Sequence, residues 1–231
     1  MTEPDIQGRS PLRAVLLAVI AVGLLLLGGG LAVALGIGAS AAPSVPTADS
    51  VDAGFARDMS HHHLQAVEMA DLATDHSHDP AIRLIAFDIA STQNNQVGRM
   101  QGWLSLWGLP LSGGTPMSWM GGTMPGMTMG ASGNAAADGA ANADTAMPGM
   151  ASEADLAQLR SSTGSAFDVE FLRLMIRHHQ GGKPMAQYAA AHAAVPAVRR
   201  LATTIADTQT AETATLTAML TARGGTPLPA P

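Results

Sequence analysis

Cysteine is absent from all 231 residues. That excludes disulfides, thiolate nucleophiles and cysteine-based zinc sites, and it leaves methionine sulfur as the only soft metal ligand. Aromatic residues make up 3% of the chain, so the core must be built from Ala, Leu, Ile, Val and Met, a composition that favours helix over sheet. Positive charge is scarce as well: 12 Lys+Arg stand against 18 Asp+Glu, for a formal net charge of -6, and Lys183 is the one lysine. A nucleic-acid binder normally carries a basic face, so no nucleic acid is expected as a partner. Familiar catalytic signatures are missing too. There is no Glu-x-x-His for a carboxylate di-iron set, no His-Glu-x-x-His, no Gly-x-Ser-x-Gly and no P-loop. The sequence leans away from an enzyme, and a metal-dependent redox activity is the least favoured reading.

What is present begins with an apolar run. Residues 12–37 carry one charge, Arg13, at their start. About 24 uncharged residues at ~1.5 Å rise span roughly 36 Å, enough for a hydrocarbon core of about 30 Å. Arg9 and Arg13 precede the run and Asp49 and Asp52 are the first charges after it. The positive-inside rule then leaves residues 1–11 in the cytoplasm and puts everything past the span outside. A cleaved signal peptide is the competing reading, because Ala39-Ser40-Ala41 resembles a small-residue cleavage site. The run exceeds the ~7–15 residues of a usual signal core, which favours an uncleaved anchor. The expected location is the cell membrane, single-pass, with an extracytoplasmic domain, or secretion if the segment is removed.

The rest of the chain is organised by a duplication. Adding 116 to a position in 52–104 gives its counterpart in 168–220 without a gap, and about 19 of 53 positions are identical. Asp52 matches Asp168, Met59 matches Met175, and His62-His63 match His178-His179. Met69 matches Met185, His76 matches His192 and Gln93 matches Gln209. Each copy reads as a helical hairpin whose second helix opens at a proline, Pro80 or Pro196, with Asp79 as an N-cap in the first copy. Two hairpins predict an all-α protein, an antiparallel four-helix bundle. Residues 38–50 form a linker, 51–108 the first hairpin, and 152–223 a short helix capped by Ser152 followed by the second hairpin. Residues 109–151, rich in Gly, Ala, Ser and Pro, are expected to be flexible, and the tail 224–231 disordered.

Helical periodicity places Met59, His62, His63, Met69 and His76 on one inward face, with Met175, His178, His179, Met185 and His192 as counterparts. His61 looks outward, and its counterpart is Arg177. The partner helices present Ile89, Gln93, Gln96 and Met100, and Ile205, Gln209, Glu212 and Leu216. Imidazole suits copper, zinc, nickel and iron, while thioether suits Cu(I). The alternative is a hydrogen-bonded polar layer that fixes helix register and holds no metal, in a structural or partner-binding bundle. Methionine at helical spacing is usually core. The linker, however, holds seven methionines without helical period: Met117, Met120, Met124, Met127, Met129, Met147 and Met150. "MPGM" occurs twice there, and the set makes sense as a secondary Cu(I) cluster or as low-complexity chain that tolerates Met.

"FARDMSHHHLQAVEMA" with "IASTQNNQVGRMQGWL", and "FDVEFLRLMIRHHQGGKPMA" with "IADTQTAETATLTAML", resemble the family called domain of unknown function 305. The resemblance covers about 52–220 in two copies. It implies a ferritin-like four-helix bundle, mostly extracytoplasmic, with some members binding copper. Carried over, its motif points to Met59, His62, His63, Met69 and Gln96, and to Met175, His178, His179, Met185 and Glu212. The implied cargo is a copper ion or another transition metal, with a copper transporter or chaperone as partner. One departure stands out: "GGKP" at 181–184 replaces the usual apolar stretch, and Pro184 inside a helix predicts a kink that would pivot His192.

Overall fold

The computed structural model describes residues 11–35, 45–121 and 147–231. They fall into two compact units, divided between Ser44 and Val45. In the first unit, helix α1 (Pro11–Ala34) contains one stretch, Leu12–Leu31, of mean hydropathy 2.6 with none of it buried. At about 1.5 Å per residue this stretch is long and apolar enough to cross a membrane. Residues 36–37, read from sequence as the end of the span, lie outside the described residues.

The second unit is an all-helical four-helix bundle. Its helices are α2 (Val51–Asp71), the single turn α3 (Ala73–His76), α4 (Pro80–Leu106), α5 (Glu153–Ser161), α6 (Gly164–His192) and α7 (Pro196–Ala222). α2 and α4 form one hairpin, α6 and α7 the other, and α2 packs against α6. The first hairpin starts where Ser50 Oγ accepts from Ala53 N at 3.2 Å. α4 starts where Asp79 accepts from Ala81 N at 2.8 Å ahead of Pro80. α7 has no side-chain cap of its own. Instead the other hairpin holds the turn ahead of it: Asp52 Oδ2 and Oδ1 accept from Ala194 N at 2.9 Å and Val195 N at 2.8 Å. Its counterpart Asp168 returns the favour, taking Ser77 Oγ at 2.6 Å in the first hairpin's loop. The two copies therefore brace each other's turns through equivalent aspartates.

The apolar core is split in two. One cluster gathers Phe55, Met59, Met100, Met185 and Ile205; the other gathers Met69, Ile89, Phe171, Met175 and Leu216. Along every long helix the passage from one cluster to the other crosses buried polar residues: His62 and His63 on α2, Gln93 and Gln96 on α4, His178 and His179 on α6, and Gln209 on α7. A polar layer thus cuts the bundle at mid-height.

α6 continues through Pro184. Three expectations change. The helical face read through to His76 is interrupted: α2 stops at Asp71, and Leu72 separates it from the turn that carries His76. The segment read as a flexible linker is packed at both described ends: Met117, Trp119 and Met120 are buried, and so are Met147, Met150 and Ala151. The tail is tied down as well, because Arg173 Nε donates to Thr226 O at 3.2 Å and Leu228 packs on the second cluster.

Candidate metal centre

His62, His63, His178 and His179 have no exposed surface. Three of the four rings are oriented by a fixed acceptor. His63 Nε2 donates to Gln96 Oε1 at 2.7 Å, and its repeat equivalent His179 Nε2 donates to Glu212 Oε2 at 2.6 Å. His62 Nε2 donates to the carbonyl of Pro148 at 3.3 Å. An imidazole that donates from Nε2 keeps its lone pair on Nδ1 when neutral. In all three rings Nδ1 is buried and has no partner, and in His178 both nitrogens are in that state.

His62, His63 and His178 are held neutral by burial. Burial, reinforced by neighbouring histidines, pushes His62 down to about 3 from 6.5. Burial also takes His63 down to about 3, against the opposing hydrogen bond to Gln96. His178 falls well below its usual value for the same first reason, helped by His62, His179 and His63. His62 and His178 lie across the α2–α6 contact with ring centroids 3.8 Å apart, tilted by 41°.

A donor set of this kind fits a transition metal. Metal-ligating histidine commonly gives its other N–H to a carbonyl or carboxylate, which fixes tautomer and orientation; His62, His63 and His179 each do so. Among the described residues, no three His, Asp or Glu side chains converge on one point, so any ion bound here takes part of its ligand set from elsewhere, from methionine or amide oxygen. Gln93 and Gln209 are buried in the same layer with neither amide atom paired.

The remaining predicted ligands divide clearly. Met59 and Met185 share one apolar cluster, Met69 and Met175 the other. His76 is half-buried, donates from Nδ1 to Ser162 O at 2.7 Å and lies in tilted ring contact with Phe167. His192 is exposed at the end of α6, against Tyr188. Each lies 13 residues beyond its histidine pair, about 20 Å of helix at 1.5 Å per residue, and neither belongs to the central layer. Of the linker methionines, Met117 and Met120 flank Trp119 on α2, whereas Met124, Met127 and Met129 lie outside the described residues.

The sequence reading missed the strap formed by 147–151. It lies along α2 and α6. Gln65 Nε2 donates to Ala151 O at 2.9 Å and Ala151 N donates back to Gln65 Oε1 at 2.7 Å. On the other side, a Cβ on Gly181 would sit 2.0 Å from Pro148 O, and one on Gly149 (φ 81°) would sit 2.5 Å from Arg177 O. The glycine that looked like damage to a helix is the seat of the strap. A second seat holds the linker's other end: a Cβ on Gly54 would sit 2.3 Å from Trp119 Cγ, and the buried Asp58 Oδ2 accepts from Met117 N at 2.7 Å and Trp119 Nε1 at 2.8 Å. A cavity of about 430 Å³, lined among others by Arg57, Asp58, His61, Leu64 and Met147, opens beside the start of the strap. The available signal was a repeat mismatch: Gln65 and Gly181 are equivalent positions with unlike residues.

Comparison with known proteins agrees with this architecture. No curated protein matches the chain. The family model "Domain of unknown function (DUF305)" matches residues 52–220. A solved DUF305 protein from Streptomyces coelicolor is 40% identical, with a TM-score of 0.66 over 78% of this chain and 96% of that one. A DUF305 fragment from Deinococcus radiodurans is 31% identical, with a TM-score of 0.59 over 78% and 99%. CopM in its Cu(II)-bound form is 23% identical, with a TM-score of 0.54 over 75% and 97%, a likeness of fold alone. On the family match and the 40% identical relative together, the chain belongs to the domain of unknown function 305 family.

Proposed function

We propose that this protein is a membrane-anchored, extracytoplasmic copper-binding bundle that sequesters the ion or hands it to a transporter or chaperone. One observation carries the reading: three buried imidazoles have Nε2 fixed by a carbonyl, an amide oxygen and a carboxylate, so that unpartnered Nδ1 atoms remain in the core. Leaving such atoms unpaired costs about 1–3 kcal/mol each, a cost that a bound ion offsets. CopM, which shares the fold, is known in Cu(II)-, Cu(I)- and Ag-bound forms, and this supports copper over other imidazole-binding metals. The strap thioethers Met147 and Met150, with Met124, Met127 and Met129, supply soft ligands for Cu(I). α1 supplies the anchor, and the mass of the mature chain tests this: an intact N-terminus supports it, and a start near Ala42 replaces it with a secreted form.

Titration of Cu(I) and Cu(II) into the full chain in detergent, against competing chelators, tests the metal reading. Binding should be tight and should weaken when His62, His63, His178 and His179 are all changed to Gln. A second reading rests on the absence, among the described residues, of three converging His, Asp or Glu side chains: the layer would then be a register device. Failure of the parent protein to bind either ion above background would establish that reading and refute ours.

A further inference from the structure

The two copies of the polar layer are not equivalent, and one of the differences is a methyl group. A Cβ placed on Gly182 would lie 2.9 Å from His62 Cε1 and 3.0 Å from both Gln209 Nε2 and Gln209 Oε1. An imidazole edge and an amide therefore pack directly on this glycine, closer than a methyl would allow. The equivalent position in the first copy is Ala66, fully buried and carrying the methyl. The atoms brought together at Gly182 lack partners. Gln209 is 3% exposed with neither amide atom hydrogen-bonded; His62 Nδ1, bonded to the Cε1 that faces Gly182, is unpaired, as are both nitrogens of His178. His178 is in ring contact with His62 across the helix pair.

We infer that this cluster is a single, asymmetric cation site, in which His62 Nδ1, a ring nitrogen of His178 and Gln209 Oε1 hold one borderline divalent ion, for which Cu(II) is the probe. The inference rests on the metal-binding reading above and adds the location, the stoichiometry and a third ligand, an amide oxygen rather than a His, Asp or Glu side chain. Two imidazole nitrogens and an amide oxygen are a donor set for Cu(II)-type ions, while the thioethers of the apolar clusters and the strap suit Cu(I). By the repeat offset, the counterpart of the Gln209–Gly182 contact pairs Gln93 with Ala66, whose methyl keeps Gln93 out of the site.

Two matched pairs of variants test this in the full chain in detergent. Gly182→Ala drives a methyl against His62 and Gln209 and parts them, while placing a better helix former in α6. Gln209→Leu removes the amide and leaves no buried polar atom unpaired at that position. Far-ultraviolet circular dichroism and thermal unfolding verify that each variant is folded. Ala66→Gly and Gln93→Leu are the first-copy controls. Isothermal titration with Cu(II), and the electron paramagnetic resonance spectrum of the bound ion, provide the readouts. The expected result is one Cu(II) per chain in the parent, weakened at least about tenfold by either second-copy variant, with an altered spectrum in Gln209→Leu. The first-copy variants should stay within about twofold of the parent. Two equivalents of Cu(II), equal losses in both copies, or parent-like affinity in Gly182→Ala and Gln209→Leu would overturn this site while leaving copper binding by the histidines intact. A parent that binds neither Cu(II) nor Cu(I) would overturn both.

Discussion

Acidification should unfold the metal-free bundle well above the pH at which carboxylates titrate. His62 and His63 each have a folded value of about 3, whereas in the unfolded chain they return to about 6.5. Between those limits the unfolded state holds more protons, so stability falls as pH drops below about 6.5 and continues to fall toward 3. From pH 7 to pH 5 each ring costs about 2 kcal/mol, and the two together about 4 kcal/mol. His178, shifted in the same direction by burial, adds to this. Such a loss is a large share of an ordinary domain stability of about 5–15 kcal/mol. In urea, with m near about 2 kcal/mol/M, it moves the midpoint down by about 2 M. The assay is urea unfolding of residues 45–231 in excess chelator at pH 7, 6 and 5, followed by helical circular dichroism. Burial raises Asp58, an effect of opposite sign that is common to the parent and its variants. The difference between the parent and a His62→Gln/His63→Gln double variant isolates the imidazoles. If the midpoints of the two proteins fall in parallel between pH 7 and 5, the histidines are not held neutral in the core and the layer described above is wrong.

Three further perturbations test the packing around the layer. Gly181→Ala drives a methyl into Pro148 O; despite the better helix propensity of Ala it should destabilise by about 2 kcal/mol and make the 147–151 strap the first site of limited proteolysis, whereas unchanged cleavage would mean that the strap is not seated there. Asp58→Ala strands Met117 N and Trp119 Nε1, at about 1–3 kcal/mol for each unpaired group, with a red shift in tryptophan emission as Trp119 loses its seat on Gly54. Asp52→Ala removes the cross-hairpin bracket on the turn before α7 and should cost about 1–3 kcal/mol in thermal or urea unfolding, with amide exchange accelerated first at Ala194 and Val195.

The duplication made most of the bundle legible in the sequence. A constant offset of 116 predicts that whatever His63 does with Gln96, His179 does with the residue at 212, and both hydrogen bonds are present over the same separation. The helical angle correctly turned His62, His63, His178 and His179 inward and His61 outward. It failed for His76 and His192 because an angle carries no height: a residue 13 positions on shares the face but sits about 20 Å along the axis. The strap was illegible for a different reason. Its contacts are backbone carbonyls and amides meeting Gln65 and Gly181 across 86 residues or 33, and a glycine within a helical pattern announces weaker helix long before it announces a close approach.

The departures from repeat symmetry then have one origin. Two hairpins related by duplication would offer two equivalent grooves over the α2–α6 pair, but a chain has only one connection between its halves. Laying 147–151 across the pair gives the equivalent positions opposite tasks. At the first, Gln65 must reach the strap with its amide; at the second, Gly181 must vanish beneath Pro148. The adjacent positions diverge in the same sense, with Ala66 filling its side of the layer and Gly182 letting His62 and Gln209 pack close on the other. His62 Nε2 is bound by the strap's carbonyl, while its counterpart His178 has no such partner for either nitrogen. The linker that joins the copies is therefore also what makes their histidines unequal, and any ion held between His62 and His178 meets an asymmetric site for that reason.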